Sequence, residues 1–323
     1  MSHDEQTEGT SPRRGGMGRY ALRRIARIVP TLLGVTLLAF VLFDVIGGSP
    51  AALELGQHAT KEQIEEYDRQ HGYDRPLPVR YVRCLADLAR GDLGRSLEYR
   101  MPVARVLRQG VGVSLSLTVP ILVAGTFVAL LVGLLCAARA GGPLDRAMLG
   151  LTTALMSVNY VIWVLLGQFL LAFKAGWFPI WGDGGAMYLA LPVIIGIVSS
   201  LGMDVRFYRT AILDELFKPY VLTARSKGLS RVVIMTRHVL RNALIPIVTY
   251  ISLSIPYLFT GSLLLESFFG IPGLGSVSIN AIQSGDLAVV RALVVFGALV
   301  YQVVNLATDL LYAVLDPRIR LSK

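Results

Sequence analysis

The sequence has few charged residues, few cysteines and few histidines, and each shortage excludes a class of protein. Charged residues make up 16% of its 323 residues, hydrophobic residues make up 54%, and the mean hydropathy is +0.58. This composition is too apolar for a disordered chain and too weakly charged for an ordinary soluble domain. The two cysteines, Cys84 and Cys136, cannot build a disulfide framework. The four histidines are not paired at the spacing of metal ligands; they are His3, His58, His71 and His238.

Motifs for nucleotide binding and for covalent catalysis are also missing. The sequence contains no Gly-Lys dipeptide, and therefore no Gly-x-x-x-x-Gly-Lys loop to hold the phosphates of ATP. It also lacks the Gly-x-Ser-x-Gly turn of a nucleophilic serine. We therefore expect no catalytic residues, no metal ligands and no cofactor bound by this chain. A membrane enzyme is the weaker alternative, because it would place ionisable residues deep in several spans, whereas Asp44 and Asp309 lie near span ends.

Long apolar runs are what the sequence has in abundance. Six windows carry few or no charges, and each is near or above the about 20 residues that cross a bilayer as a helix. The sequence therefore predicts an all-α membrane protein with six transmembrane helices. The windows are 28–46, 111–138, 147–173, 186–203, 242–265 and 292–308, the last extended to 315.

Lysine and arginine are concentrated in alternate connections between these windows. Residues 13–27 contain six arginines and residues 204–241 contain eight basic against three acidic residues, whereas residues 266–287 contain no lysine or arginine. Because cytoplasmic loops collect positive charge, both termini and segment 204–241 are predicted to lie inside the cell, and segment 47–110 outside. This distribution explains the net charge of +9 without a nucleic-acid partner.

Segment 47–110 has its own helix signals. Thr60 and Gln63 have the spacing of a capping box, and Gly72 marks a stop, so a short helix is predicted between them. Two more helices are predicted at 78–91 and 102–110, each with proline near its start and glycine at its end. We expect a small extracytoplasmic helical subdomain, which either docks a partner or serves as a solvated connector.

Segment 204–241 is too long for a turn and too polar for the bilayer. Pro219 interrupts a helix that continues from Phe207, and residues 220–225 restart a short one. Tyr220 and Ala224, four residues apart, are predicted to form an apolar knob on one side of this helix. Such a knob, flanked by basic residues, fits a cleft on another protein, and an inert basic loop is the alternative.

The residues of this segment resemble a known motif. Residues 220–230, Tyr-Val-Leu-Thr-Ala-Arg-Ser-Lys-Gly-Leu-Ser, and the following 237–246 are similar to the EAA loop of type I ABC importer permeases. Ala224, Gly228 and Pro246 stand where the motif expects them, and Thr223 replaces its usual glutamate, as in the dipeptide and oligopeptide branch. The resemblance implies a coupling helix that seats in an ATPase subunit. Its residues here are Tyr220, Thr223, Ala224, Arg225, Lys227, Gly228 and Leu229.

Three further stretches resemble the first permease subunit of peptide importers. They are residues 73–79 with 91–96, residues 266–275 and residues 309–320. The resemblance implies a homologous second permease, two cytoplasmic ATPases that bind ATP and magnesium, an extracytoplasmic solute-binding protein, and a bacterial inner membrane. It implies peptide cargo, with nickel, glutathione or an oligosaccharide as alternatives. A stand-alone channel or secondary transporter is the alternative of another class.

The resemblance and the windows together divide the chain into five parts. These are a disordered cytoplasmic tail at 1–16, a first transmembrane helix at 17–46, the extracytoplasmic subdomain at 47–110, a five-helix permease core at 111–315 and a cytoplasmic tail at 316–323.

Polar residues inside the apolar windows either hold helices together or line a passage. Asn305 and Asp309 lie four residues apart, so a hydrogen bond between them would fix the last helix against its neighbours. A role in the passage is the alternative for this pair. The candidate residues are Asn159, Gln168, Ser252, Ser254, Gln302, Asn305 and Asp309.

Overall fold

A computed structural model describes residues 16–46, 55, 60–182 and 184–315 of the chain. Nearly all of these residues lie in helices, as the apolar windows predict. Most residues of the two predicted tails lie outside the described residues. The helices are α1 (Gly16–Phe40, continued by the π-helical Val41–Ile46), α2 (Lys61–His71), α3 (Leu77–Ala89), α4 (Val103–Ala138), α5 (Pro143–Ser157), α6 (Tyr160–Gly167, continued by the π-helical Gln168–Lys174), α7 (Ala186–Leu216), α8 (Pro219–Ser226), α9 (Arg231–Thr260, π-helical over Ile234–Val239), α10 (Leu263–Phe269), α11 (Leu274–Ser284) and α12 (Leu287–Leu315).

Five helices of the described part are long and apolar enough to cross a membrane. They are α1, α4, α7, α9 and α12. Two further pairs, α5 with α6 and α10 with α11, reach the required length only as bent pairs. The prediction of an all-α membrane protein is therefore confirmed.

Window 147–173 is not one straight helix, as its composition had indicated. Helices α5 and α6 meet at 91°. The bend has a local cause, because Val158 is extended and the Oδ1 of Asn159 accepts a hydrogen bond from the Val161 N–H over 2.9 Å. A side chain that caps a new helix start ends the helix before it. Window 242–265 is also divided, here at Gly261, whose left-handed φ of +76° ends α9.

The predicted capping box is present at the start of α2. The Gln63 N–H donates to the Thr60 hydroxyl over 3.3 Å, and the Thr60 N–H donates to the Gln63 side chain over 3.0 Å. Gly72 ends this helix in the left-handed conformation at φ +74°. Helix α3 follows at Leu77–Ala89, close to its predicted position.

The third predicted helix of this segment does not end at Gly110. Helix α4 begins at Val103 and runs through Gly110 for 36 residues to Ala138. Gly110 is a packing residue here, because a Cβ at this position would lie 2.6 Å from Cδ2 of Leu274. The prediction that a helix ends at Gly110 was therefore wrong. This glycine instead allows α11 to approach α4 closely.

The centre of the fold is the packing of α4 against α7, with α9 beside them. One buried apolar cluster joins the ends of these helices to α8. We call this end of the fold the basic end, because the basic segment 204–241 lies here. Two other buried clusters lie around α10 and α11, at the opposite end. Helix α1 packs on α12, where Asp44 accepts from Arg291 over 2.9 Å and a backbone oxygen of Asp44 accepts from Arg80 over 3.1 Å.

Candidate coupling surface

Helix α8 is anchored at the basic end by two buried side chains. Lys218 is extended and Pro219 occupies the first turn, where its missing N–H leaves no donor unpaired. Val221 is fully buried and Ala224 is 6% exposed. Both belong to the cluster that contains Ile234 and Val239 of α9. The short helix is therefore part of the core and not a free loop.

A glutamate at the end of α7 holds the start of α8. Glu215 accepts from Nζ of Lys218 over 2.5 Å at Oε1 and from the Tyr220 hydroxyl over 2.7 Å at Oε2. The hydrogen bond to Glu215 raises the pKa of Lys218, and burial raises the pKa of Tyr220. Lys218 therefore stays charged and Tyr220 stays protonated at neutral pH. We call these three residues the Glu215 clamp.

Gly228 ends α8 with a conformation that other residues adopt at a cost. Its φ is +75°, and its N–H donates to the carbonyl of Arg225 over 2.9 Å. A Cβ at this position would meet no neighbouring atom, so the backbone and not packing selects glycine. Ser230 then caps α9, and Arg231 donates to the backbone oxygen of Ala138 at the end of α4.

The exposed face of α8 differs from the predicted knob. Ala224 is buried and Tyr220 is partly buried, so these two side chains point into the protein and not toward a partner. Val221 and Ala224, three residues apart, bury the helix face that contacts α9. Leu222 is 61% exposed and occupies the free face. The other exposed residues of this surface are Thr223, Arg225, Ser226, Lys227 and Leu229. We call Leu222 and these residues the α8 face.

A buried ion pair that sequence reasoning missed fixes the same end of the fold. Arg209 of α7 donates to both oxygens of Asp145 in α5, over 2.6 and 2.7 Å, and the Gly141 N–H donates to Asp145 over 2.8 Å. Arg206 donates to Thr152 over 3.1 Å. The two arginines therefore hold α5 against α7. The aspartate in the first turn of α5 was the available sequence signal.

Sequence comparison places the chain among known transport proteins. Residues 129–321 match the family described as the binding-protein-dependent transport system inner membrane component. Residues 17–118 match the N-terminal part of such membrane components. The chain belongs to this family. The protein is therefore a permease, a multi-pass protein of the plasma membrane whose role is transport and not catalysis.

Individual relatives match the permease over nearly its whole length. A probable peptide ABC transporter permease of Sinorhizobium fredii is 33% identical and is covered in full, with 94% of this chain aligned. The dipeptide transport system permease of Escherichia coli is 31% identical, with 95% of this chain and 100% of that protein aligned. The glutathione transport system permease of Salmonella paratyphi A is 32% identical, with 94% and 99% aligned.

At the opposite end of the permease, Glu266 is fully buried among hydrogen-bond donors. Its Oε1 accepts from the Ser114 hydroxyl over 2.8 Å and from the Ser262 N–H over 3.1 Å. Its Oε2 accepts from the N–H groups of Gly275 and Ser276 over 2.6 and 3.2 Å. One carboxylate thus joins α4, α10 and α11. The sequence signal for this contact was an acidic residue inside an apolar stretch.

The polar residues singled out in the sequence have different surroundings. Gln168 donates to the backbone oxygens of Phe268 and Ile180 over 2.8 and 3.3 Å, so it joins α6 to α10. Asn159 is the cap described above, and Ser252 is buried and donates to Val248 of its own helix. The side chain of Asp309 lies outside the described residues, so the proposed pair with Asn305 stays a prediction. Ser254, Gln302 and Asn305 are partly buried.

Asp204 is a carboxylate that the sequence prediction placed in the loop between spans. The structure places it within α7, where Oδ1 accepts from the Tyr250 hydroxyl of α9 over 3.0 Å. The ring of Tyr250 stacks on Phe207, with 4.3 Å between the ring centroids. Sequence spacing gave no sign that these three residues, on two helices, would meet.

Proposed function

We propose that the permease is one of two homologous membrane subunits of an ATP-driven importer and forms half of its translocation pathway. One of two cytoplasmic ATPases binds the α8 face, both ATPases hydrolyse ATP with magnesium, and an extracytoplasmic binding protein delivers the cargo. The observation that carries this proposal is the construction of α8. A short helix anchored by Val221 and Ala224 presents Leu222 and basic residues outward, as a docking surface requires.

The order of the helices supports six spans with both termini in the cytoplasm. Helices α4 and α5 meet at the basic end, and the segment before α7 meets α10 at the opposite end, where the Gly182 N–H donates to the Phe269 oxygen over 2.9 Å. We therefore infer that the bent pair of α5 and α6 crosses the membrane. Helix α9 ends and α12 begins at the opposite end. We therefore infer that the bent pair between them, α10 and α11, does not cross the membrane. With this topology, we propose that α2 and α3 lie outside the cell.

The proposed cargo is a short peptide. Relatives of this length are named for peptides, for dipeptides and for glutathione. Glutathione, itself a short peptide in its chemistry, is the second candidate because several relatives carry that name. Nickel and oligosaccharides are the remaining alternatives for the same permease role.

The test is uptake by the complete complex in vesicles, with its second permease, its ATPases and its binding protein. We expect peptide to stimulate ATP hydrolysis and to enter the vesicles. Leu222→Asp places a charge on the α8 face and should weaken the binding of the ATPase to this permease. Val82→Asp changes an equally exposed residue of α3 and should leave the complex intact. Uptake by the permease alone would instead support a channel or a secondary transporter.

A second variant separates coupling from assembly. Gly228→Val forces a branched residue into a left-handed conformation, at a cost of about 1–2 kcal/mol, and should distort the end of α8. We expect the complex to assemble while peptide uptake and peptide-stimulated hydrolysis fall. Undiminished uptake in this variant would remove the coupling role of α8.

A further inference from the structure

Asp204 has no cationic partner among the ion pairs of the described residues. The two arginines nearest to it in sequence on α7 turn elsewhere, since Arg206 donates to Thr152 and Arg209 pairs with Asp145. Its described hydrogen-bond partners are two neutral hydroxyls, those of Tyr250 and Ser200. No cationic side chain among the described ion pairs therefore neutralises Asp204.

Asp204 stands at the end of the apolar stretch of α7 and contacts a residue well inside α9. Tyr250 is nine residues beyond Arg241 on α9, which is about 13 Å along the helix axis. Asp204 also follows directly after the apolar stretch 186–203 of α7. A carboxylate at this edge of the apolar region is expected to face a protein interior or water, because exposure to hydrocarbon is costly.

The surface around Asp204 is aromatic and exposed. Met203 and Phe207 flank it on α7, and Leu253 and Tyr257 continue the face of Tyr250 on α9 at helical spacing. Met203, Leu253 and Tyr257 are 61%, 61% and 69% exposed. A carboxylate beside aromatic rings is the combination that binds an ammonium group, through charge and through cation–π attraction.

We propose that this face lines the passage and that Asp204 binds the positively charged amino group of the cargo. The proposal rests on the proposed function, since it assumes a permease with peptide cargo. The Asp204 face consists of Met203, Asp204, Phe207, Tyr250, Leu253 and Tyr257. Lipid, or a tightly packed helix of the second permease, is the other occupant that such a face would take.

Accessibility to a charged thiol reagent tests whether the face meets water. Met203→Cys and Leu253→Cys are introduced in the assembled complex, and modification at each position is followed by peptide mass spectrometry, so that Cys84 and Cys136 are distinguished. Phe127→Cys on α4, 62% exposed in an apolar stretch, is the matched control. We expect fast modification at 203 and 253, slow modification at 127, and protection by cargo. Equal, slow modification at all three positions would overturn the placement in the passage.

Peptide uptake tests the role of the carboxylate. Asp204→Asn keeps an acceptor for Tyr250 but removes the charge, and should lower uptake of a dipeptide with a free amino group by about tenfold or more, the range for a hydrogen bond to a charged group. Asp204→Glu should restore much of the uptake. Tyr250→Phe removes the contact within the protein and should change uptake by less than Asp204→Asn. Asp214→Asn, an exposed carboxylate further along α7, is the control.

Each outcome has one meaning. Wild-type uptake in Asp204→Asn would overturn the binding role, and an equal loss in Tyr250→Phe would show that Asp204 only holds α7 to α9. A wild-type complex that hydrolyses ATP without response to any peptide would remove the proposed cargo instead. The thiol experiment without cargo would still decide whether the face meets water.

Discussion

The Tyr220 hydroxyl and the Glu215 carboxylate are joined by a hydrogen bond of 2.7 Å that crosses the break between α7 and α8. Glu215 also accepts from Lys218, so its two oxygens hold the two residues that flank Pro219. Since α7 packs along α4 through the centre of the fold, a force on α8 is passed directly to a long helix of the core. The Glu215 clamp makes α8 an extension of α7.

Removal of the clamp should weaken coupling more than assembly. Glu215→Ala removes the acceptor shared by Tyr220 and Lys218, so the start of α8 is held less firmly to the end of α7. We expect peptide-stimulated ATP hydrolysis to fall several-fold while the ATPases still copurify with the permease. Asp214→Ala, at the exposed neighbouring position, should leave hydrolysis unchanged. Identical hydrolysis in both variants would show that the clamp has no part in coupling.

The ion pair of Asp145 and Arg209 should contribute measurably to the stability of the basic end. The side chains are 2% and 19% exposed, so loss of one partner leaves a buried charge, at about 3–5 kcal/mol. Asp145→Leu should therefore lower the melting temperature of the permease in detergent by several degrees. The double variant Asp145→Leu, Arg209→Met should melt above the single variant, because it buries no lone charge. A double variant that melts below the single one would contradict this account.

Replacement of the Glu266 carboxylate by an amide should destabilise the permease. In Glu266→Gln one oxygen becomes an NH₂ group that meets the donors now bonded to the carboxylate, so at least one buried hydrogen bond is lost, at about 1–3 kcal/mol. We expect a lower melting temperature and a lower yield of folded permease. Glu98→Gln changes an exposed glutamate in the same way and should have no effect on either measurement. Wild-type stability in Glu266→Gln would mean that the carboxylate is protonated in the folded protein.

Two glycines two residues apart on α4 should respond oppositely to alanine. At Gly110 the added Cβ would lie 2.6 Å from the Leu274 side chain and 3.3 Å from its backbone nitrogen, so Gly110→Ala should destabilise by about 1–3 kcal/mol through overpacking. At Gly112 the Cβ would meet no neighbouring atom, so Gly112→Ala should be neutral or stabilise by up to about 1 kcal/mol through helix propensity. Melting temperatures of the two variants in one detergent test the difference. Equal destabilisation would place the effect in the helix and not in its contact with α11.

Local signals were sufficient for part of the fold. The capping box of α2, the stop at Gly72 and the restart of a helix after Pro219 depend on residues within one or two turns, and they were predicted correctly. Asn159 also has the chemistry of a helix cap, but the surrounding apolar run concealed it. Gly110 shows the opposite failure, since the sequence alone does not distinguish a glycine that ends a helix from one that lets a neighbouring helix pack closely.

The sequence by itself determined that this protein is helical and lies in a membrane, because long apolar runs have one stable form in lipid. Its motif also indicated a coupling helix at 220–230. Only the tertiary structure decided which side of that helix is free, because the burial of Val221 and Ala224 depends on α9. The meeting of Asp204 with Tyr250, and of Asp145 with Arg209, likewise depends on which helices become neighbours. Those contacts join residues far apart in the chain, so no local sequence pattern predicts them.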